Sequence, residues 1–481
     1  MRTRRFALLI GAATLAFAGC GGAPDAVTDG PSTSTGSTEA PATTPAPPVT
    51  TPADRGWLTR EPEWDRSSDD AAGDGPGSVD MAMAEAASGE PIAPSPGDIH
   101  PSPEPGEGAP GPLRAGSVDD NSDFAGYLDY LARVQELGIG LRNFDPTGRV
   151  VVRVSGSDGL PVAGVEVRVV TAGTGQAADP AVLATLRTAA DGTARFHPAL
   201  HDAAELAPFE FVVTGVDGAA VSATADAGGE ATLALGQAGG RPAPIALDVL
   251  FLLDATGSMS DEIDRLKTQI DSVAERVAAL EGAPDVRFGM TLYRDEGDQF
   301  VTATRDFTGD VAAFRADLAD VVADGGGDYP EALEEGLAEA LTLPTWRDPA
   351  SAVQLVFLVA DAPPQIGRQV AQPYDASLRD AIGRGIKIFP VASSESDDQA
   401  EAVFRQLAQA TGARFVFLSY GAGGAATGEH TDIAATDYEE LALDDLVVRL
   451  VGEELAALTG DPTVVPPVTP STAPPTNPPG Q

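Results

Sequence analysis

Apolar and polar positions change period twice along this chain. Between Ala246 and Leu458, five apolar runs, ALDVLFLL, VRFGMTLY, AVQLVFLVA, IKIFPVA and ARFVFLS, alternate with amphipathic stretches. Continuous apolar strands separated by helices call for a parallel sheet covered on both faces. After Asp254, the residues Ile263, Leu266, Ile270, Val273, Val277 and Leu280 recur at spacings of three and four, one apolar stripe along a helix. Ser260 is placed to cap that helix, with Asp261 and Glu262 in the first turn, where the helix dipole favours acids. The expected fold class is α/β, a doubly wound, mostly parallel sheet over 244–459. A last amphipathic stretch, Tyr438–Leu458, would set Leu441, Leu446, Leu450 and Leu455 against the sheet.

Upstream, Gly148–Leu235 follows a period of two. VVVRVSG, GVEVRVV, TARFHP, FEFVVTG, AVSATAD and ATLALG are short alternating segments separated by the turn signals SDGLP, AADG, VDG and AGG. They predict a smaller all-β sandwich over 147–238. The residues Gly159-Leu160-Pro161-Val162-Ala163-Gly164-Val165, with Thr188 and Asp191-Gly192 further on, resemble carboxypeptidase-regulatory-like and related Ig-like modules of bacterial surface proteins, which implies a spacer. His197 and His201 stand four apart, a ligand spacing on a helix. Pro198 and the strand–loop setting predict surface residues instead. Over 117–146 a short helical lead-in is expected: Phe124, Leu128, Leu131 and Gln135 form a stripe, with Tyr127, Val134 and Leu137 beside it.

The rest of the chain has no period. Gly21–Gly116 is Pro, Thr, Ser, Gly, Ala and acid, and much of the excess of 53 glycines and 40 prolines falls in such segments. This composition buries too little apolar area to offset chain entropy. A disordered stalk over 21–116 is expected, spanning on the order of 55 Å, with the WLTREPEW island around Trp57 and Trp64 read as linker. A disordered tail of the same composition is expected over 460–481. Met1–Cys20 has a basic start, an apolar middle and a small-residue end, which is a secretory signal. Phe17-Ala18-Gly19-Cys20 resembles the end of a bacterial lipoprotein signal, which implies lipidation at Cys20 and anchoring to the cell envelope.

Charge narrows the choice of partners. With 30 Lys+Arg against 72 Asp+Glu, the net charge is −42, which argues against nucleic acid and against anionic membrane surfaces; a lipid on Cys20 is the one membrane attachment expected. A single cysteine excludes an intrachain disulfide framework and a Cys-rich metal site.

In open parallel sheets, ligands gather beyond the carboxyl ends of the strands. The first apolar run leads into Asp254-Ala255-Thr256-Gly257-Ser258, a carboxylate and two hydroxyls at spacings of two. Mg2+ favours oxygen donors and keeps some of its water, so one carboxylate, two hydroxyls and neighbouring loops suit it. Two further loops carry acids: Gly325-Gly326-Gly327-Asp328-Tyr329-Pro330-Glu331, and Asp361-Ala362-Pro363-Pro364 after the third run. Asp295, after the second run, is a candidate supporting acid. The glycine run could mimic a phosphate loop, but no Lys-Ser/Thr follows it and Asp328 would repel phosphate.

Together these three loops resemble the metal-ion-dependent adhesion site (MIDAS) of von Willebrand factor type A domains. The resemblance implies that Asp254, Thr256, Ser258 and Asp361 hold a divalent cation, Mg2+ first, with Mn2+ or Ca2+ as alternatives. The family's threonine in the middle loop is missing here; Asp328, ahead of Glu331, stands in its place. The resemblance further implies an open coordination position that is filled by the carboxylate of a protein partner.

Three functions are therefore weighed. The first is a lipid-anchored envelope protein whose head captures an acidic partner through a divalent cation. The alternative is an envelope assembly or scaffold factor with a metal-independent interaction module. The third is an enzyme, a metal-assisted hydrolase or kinase-like fusion. It ranks last, because His100, His197, His201 and His430 stand away from the predicted strand ends and no nucleophile elbow or phosphate loop is present.

Overall fold

The computed structural model describes residues 56–60, 113–142, 144–172, 181–241, 244–281, 284–327, 329–393, 396–419, 438 and 440–466. Cys20, Asp328, His430, the tail from 467 and most of the expected stalk lie outside the described residues. In chain order the described elements begin with strands β1 (Leu58–Arg60) and β2 (Arg114–Val118) and helix α1 (Phe124–Glu136). Strands β3 (Val150–Ser155), β4 (Glu166–Thr171), β5 (Val182–Arg187), β6 (Thr193–Phe196), β7 (Phe209–Thr214), β8 (Ala220–Ala225) and β9 (Glu230–Ala234) follow. The chain then alternates through β10 (Ala246–Asp254), α2 (Ser260–Ala278), β11 (Asp285–Tyr293), β12 (Thr302–Thr308), α3 (Val311–Ala319), α4 (Leu333–Thr342) and β13 (Ala352–Ala360). It closes with α5 (Tyr374–Arg384), β14 (Lys387–Ala392), α6 (Asp398–Thr411), β15 (Phe415–Ser419), β16 (Leu441–Ala442) and α7 (Leu443–Thr459).

The five apolar runs become the parallel centre of a nine-stranded sheet ordered β1-β12-β11-β10-β13-β14-β15-β2-β16. Every residue of β13 is buried, as a strand covered on both faces requires. Helices α2, α3 and α7 pack together on one side, and α4, α5 and α6 on the other, with α1 against α6. The fold is mixed α/β around this large sheet. The stripe on α2 from Ile263 to Leu280 is buried throughout, and so are Leu441, Leu446, Leu450 and Leu455 near the chain's end. Leu441 belongs to β16 and not to the last helix. Ser260 is the first residue of α2 and not its cap; a short turn, Gly257–Met259, leads in, and no side chain caps the helix.

Two stretches expected in the stalk are strands of the large sheet. β2, which crosses the expected boundary at 116, pairs antiparallel with β15, Phe415 opposite Val118. β1 pairs antiparallel with the edge strand β12, Leu58 opposite Thr304, and the Arg305 guanidinium lies 4.3 Å from the Trp57 ring centroid. On α1 the buried face is Tyr127, Tyr130, Leu131 and Val134, one step round from the expected stripe, and Leu137 is 68% exposed.

The strands between Val150 and Ala234 form two small sheets, β6-β3-β9 and the antiparallel β5-β4-β7-β8. Their buried residues, Val152, Val167 and Phe211 among them, are continuous with the core of the large sheet. The two histidines are not surface residues. His197 is fully buried, edge-on to Phe144 with ring centroids 5.6 Å apart, and His201 stacks on Phe196. Burial, then Arg149 and Arg195, hold the His197 imidazole down to about 3, which keeps it neutral.

A candidate cation site at the carboxyl ends of the strands

The chain leaves β10 towards β11 on one side and later returns to β13 on the other, so the strand order reverses between β10 and β13. Loops part at such a reversal and leave a crevice. Asp254 ends β10, and Asp361 directly follows β13. In the shared register Leu253 lies opposite Val359, which brings the two acids to neighbouring levels of the same edge.

Asp254 is 0% exposed. Its Oδ1 accepts the Thr256 N–H at 3.0 Å and the Thr256 hydroxyl at 2.7 Å. Thr256 Oγ1 in turn lies 3.1 Å from Ser258 Oγ, and Ser258 is exposed. The other oxygen, Oδ2, is buried, and the Tyr293 phenol also hydrogen-bonds this carboxylate. One half of this carboxylate shapes its own loop.

The glycine-rich loop reaches the same place. Gly257 N–H donates to Gly325 O at 2.9 Å, and Gly326 N–H to Asp298 Oδ2 at 2.8 Å. Gly326 has φ +71°, and a Cβ there would lie 2.9 Å from Glu331 Oε1 and 3.0 Å from Thr256 Cβ, so this position needs glycine. Glu331 N–H donates to Pro363 O at 3.1 Å, joining this loop to the one after β13. Glu331 is thereby only 4% exposed, and its Oε2 is buried without a hydrogen-bond partner. Arg294 ties the loops from below, donating from Nε to Ala255 O at 3.1 Å and from Nη2 to Val322 O at 2.9 Å.

These acids repel one another. Burial, then the Asp361 charge, push the Asp254 carboxyl up to about 7, against the pull of the Thr256 hydrogen bonds. Burial, then Asp254, Asp295, Asp361 and Asp298, push Glu331 up to about 8. Burial with Asp254 and Asp361 pushes the Tyr293 phenol well above its ordinary value. The largest influences on Asp254 and Glu331 are burial and neighbouring acids. Asp295 is buried, with Oδ1 accepting from Gln365 Nε2 at 3.0 Å and its N–H donating to Asp298 Oδ2 at 3.1 Å.

The structure therefore brings Asp254, Thr256, Ser258 and Asp361 to one edge, and adds Glu331 to them. The sequence ranked Glu331 behind Asp328, which lies outside the described residues. Tyr293, Gln365 and Asp298 were not singled out; the position of Tyr293 as the last residue of a strand was the one available signal. Among the described residues no three His, Cys, Asp or Glu side chains form a metal cage by themselves. Any cation here depends on hydroxyls and water as well as carboxylates.

Residues 248–420 match the family model described as von Willebrand factor A domain. The alpha-protein kinase vwkA of Dictyostelium discoideum is 29% identical over 118 residues, covering 24% of this chain and 18% of its own length. The chain thus spans about a fifth of that curated relative. Similar solved structures include BatB from Bacteroides thetaiotaomicron, 14% identical over 31% of this chain and 67% of that one, TM-score 0.25. The pilus adhesin SpaC from Lactobacillus rhamnosus GG, open conformation, is 13% identical over 42% and 28%, TM-score 0.27. Proximal thread matrix protein 1 from the mussel byssus, with a zinc-occupied MIDAS motif, is 15% identical over 35% and 41%, TM-score 0.28. At such scores these likenesses carry no argument about function.

Proposed function

From a chain that carries a von Willebrand factor A domain at 248–420, we propose a protein that holds a divalent cation at this edge and uses it to capture an acidic side chain of a protein partner. The observation that carries the reading is Asp254: a fully buried carboxylate pushed up by burial and by the neighbouring Asp361 charge, which hydrogen bonds from Thr256 and Tyr293 do not offset. A buried charge of this kind is strongly unfavourable unless a cation or a proton neutralises it. The donors are all hard oxygens, which fits Mg2+ first, then Mn2+ or Ca2+. Asp254, Thr256, Ser258 and Asp361 would hold the ion, with Glu331 or Asp328 completing the set. When bound, the ion supplies local positive charge in a protein of net charge −42. Thr256 fixes the Asp254 rotamer, and Arg294 ties the loops through Ala255 O and Val322 O.

We read the site as binding and not catalytic. The hydroxyls beside its acids, Thr256 and Ser258, are bonded to Asp254 and to each other with no histidine among their partners, and His197 and His201 lie at the turn after β6. On the sequence reading, Cys20 is the lipid anchor in the cell envelope and the Pro/Thr/Ser-rich segment carries the folded part away from the membrane.

Calorimetric titration of the full chain with Mg2+, Mn2+ and Ca2+ tests the proposal. Saturable binding by the wild type that Asp254→Asn loses is the expected result. Equal heats from both proteins would remove the cation and leave the alternative, a metal-independent scaffold module.

A further inference from the structure

The crest beside the cation site continues into a groove. Tyr329 is 48% exposed; its hydroxyl accepts the Asp397 N–H at 3.4 Å and points at Asp361 O from 3.5 Å. Asp397 caps α6 and, with Ile139, Asp398 and Gln399, lines a hollow of about 430 Å3. Ile139 and Asp398 also line a second hollow of about 330 Å3, whose wall is Tyr130, Val134 and Leu137 from α1 and its end. Beneath it Tyr127, Tyr130, Leu131, Val134 and Ala402 form a small core of their own, so the wall is firmly held.

The groove has an apolar interior and an acidic lip. Glu401 is already paired with Arg405 at 3.1 Å, whereas Asp397 and Asp398 make no ion pair among the described residues. Arg133 lines the second hollow. A lysine or arginine matches this pattern, burying its methylene stem against Leu137 and Ile139 while its charged end meets Asp397 and Asp398. A second acidic side chain would meet two carboxylates in a protein already at −42. One wall, α1, lies outside residues 248–420, and the acidic lip lies inside them.

We propose that the partner segment whose carboxylate meets the cation site also lays a lysine or arginine side chain into this groove. The inference rests on the cation-dependent capture proposed above. A random peptide library displayed on phage, selected on the full chain in Mg2+ and released with EDTA, tests both. On the wild type, released peptides should carry an acid together with Lys or Arg, the basic residue enriched about fivefold, as a half-exposed charge pair allows. On Asp398→Lys, checked for unchanged melting temperature, the acid should remain and the basic enrichment should vanish. Acid enrichment without a basic residue, or identical selections on the two proteins, as when a segment of this chain covers the groove, would overturn the groove and leave the cation site standing. No EDTA-released peptide on either protein would overturn the capture itself.

Discussion

Acids gather at both ends of the parallel strands, and at the amino end a lysine of the chain sits between two of them. At the amino end, Lys387 opens β14 and its Nζ lies 3.0 Å from Asp191 Oδ2, on the turn before β6, and 2.6 Å from Glu454 Oε1 of α7. Burial alone would raise the Asp191 carboxyl, but Lys387, Arg195 and Thr193 outweigh it and hold the acid below its usual range, whereas for Glu454 burial outweighs Lys387 and the acid stays above its usual range. At the carboxyl end, burial and like charges push Asp254 up to about 7 and Glu331 up to about 8. Where an acid serves to join elements, this chain supplies its own cation; at the carboxyl end we propose that the cation comes from outside. The same logic governs Arg405, which pairs with Asp120 at 2.6 Å, and Arg142, which pairs with Glu334 at 2.7 Å.

The largest expected effect breaks the first end. Lys387→Met leaves Glu454 buried and uncompensated, and urea unfolding should show a loss of about 3–5 kcal/mol. The second end should respond with the opposite sign. Asp254→Asn, assayed at alkaline pH in EDTA, removes a repelled charge and should stabilise the protein by about 2 kcal/mol, measured in the same way.

Dependence on pH sharpens the contrast. Asp254 and Glu331 have ordinary values of 3.8 and 4.5 and folded values of about 7 and about 8. The folded state therefore binds more protons than the unfolded state across that window. Stability of the cation-free protein should be greatest near the low end and fall as pH rises through it. Glu331→Gln should flatten part of the fall, and saturating Mg2+ should flatten more of it; unfolding free energies at about pH 5 and about pH 8 give the slope. The smallest effect belongs to an exposed pair. Arg276→Ala breaks contacts of 2.8 Å to Asp444 and 2.7 Å to Asp445, all partly solvated, and should cost less than about 1 kcal/mol by urea titration.

Much of this was legible in the sequence where a single element carries its own signal. The apolar runs of β10 and β13, the stripe on α2 and the Asp254-x-Thr256-x-Ser258 spacing are local patterns, and the structure sets Asp254 and Asp361 at one edge because parallel strands end together. What escaped depends on distant pairing. RAGSV becomes β2 because β15 offers it a ladder, and Leu58–Arg60 becomes β1 because β12 has a free edge. Glu331 joins the site through its N–H to Pro363 O, a contact between loops 32 residues apart. His197 was expected at the surface because its own segment is short and turn-rich; Phe144, more than fifty residues earlier, closes over it. Leu137 fits a stripe on α1, yet that helix turns Tyr127 and Tyr130 inward and leaves Leu137 on the groove.

Thermal unfolding of the wild type and Asp254→Asn near pH 8, each in EDTA and in excess Mg2+, tests the central claim most directly. A bound ion stabilises by about 2.7 kcal/mol at a hundredfold excess over Kd. The account predicts a crossing: Asp254→Asn melts higher than the wild type in EDTA, and the wild type melts higher in Mg2+. An Asp254→Asn protein that melts lower than the wild type in EDTA, with no response to Mg2+ in either, would make Asp254 a structural cap and contradict the cation site.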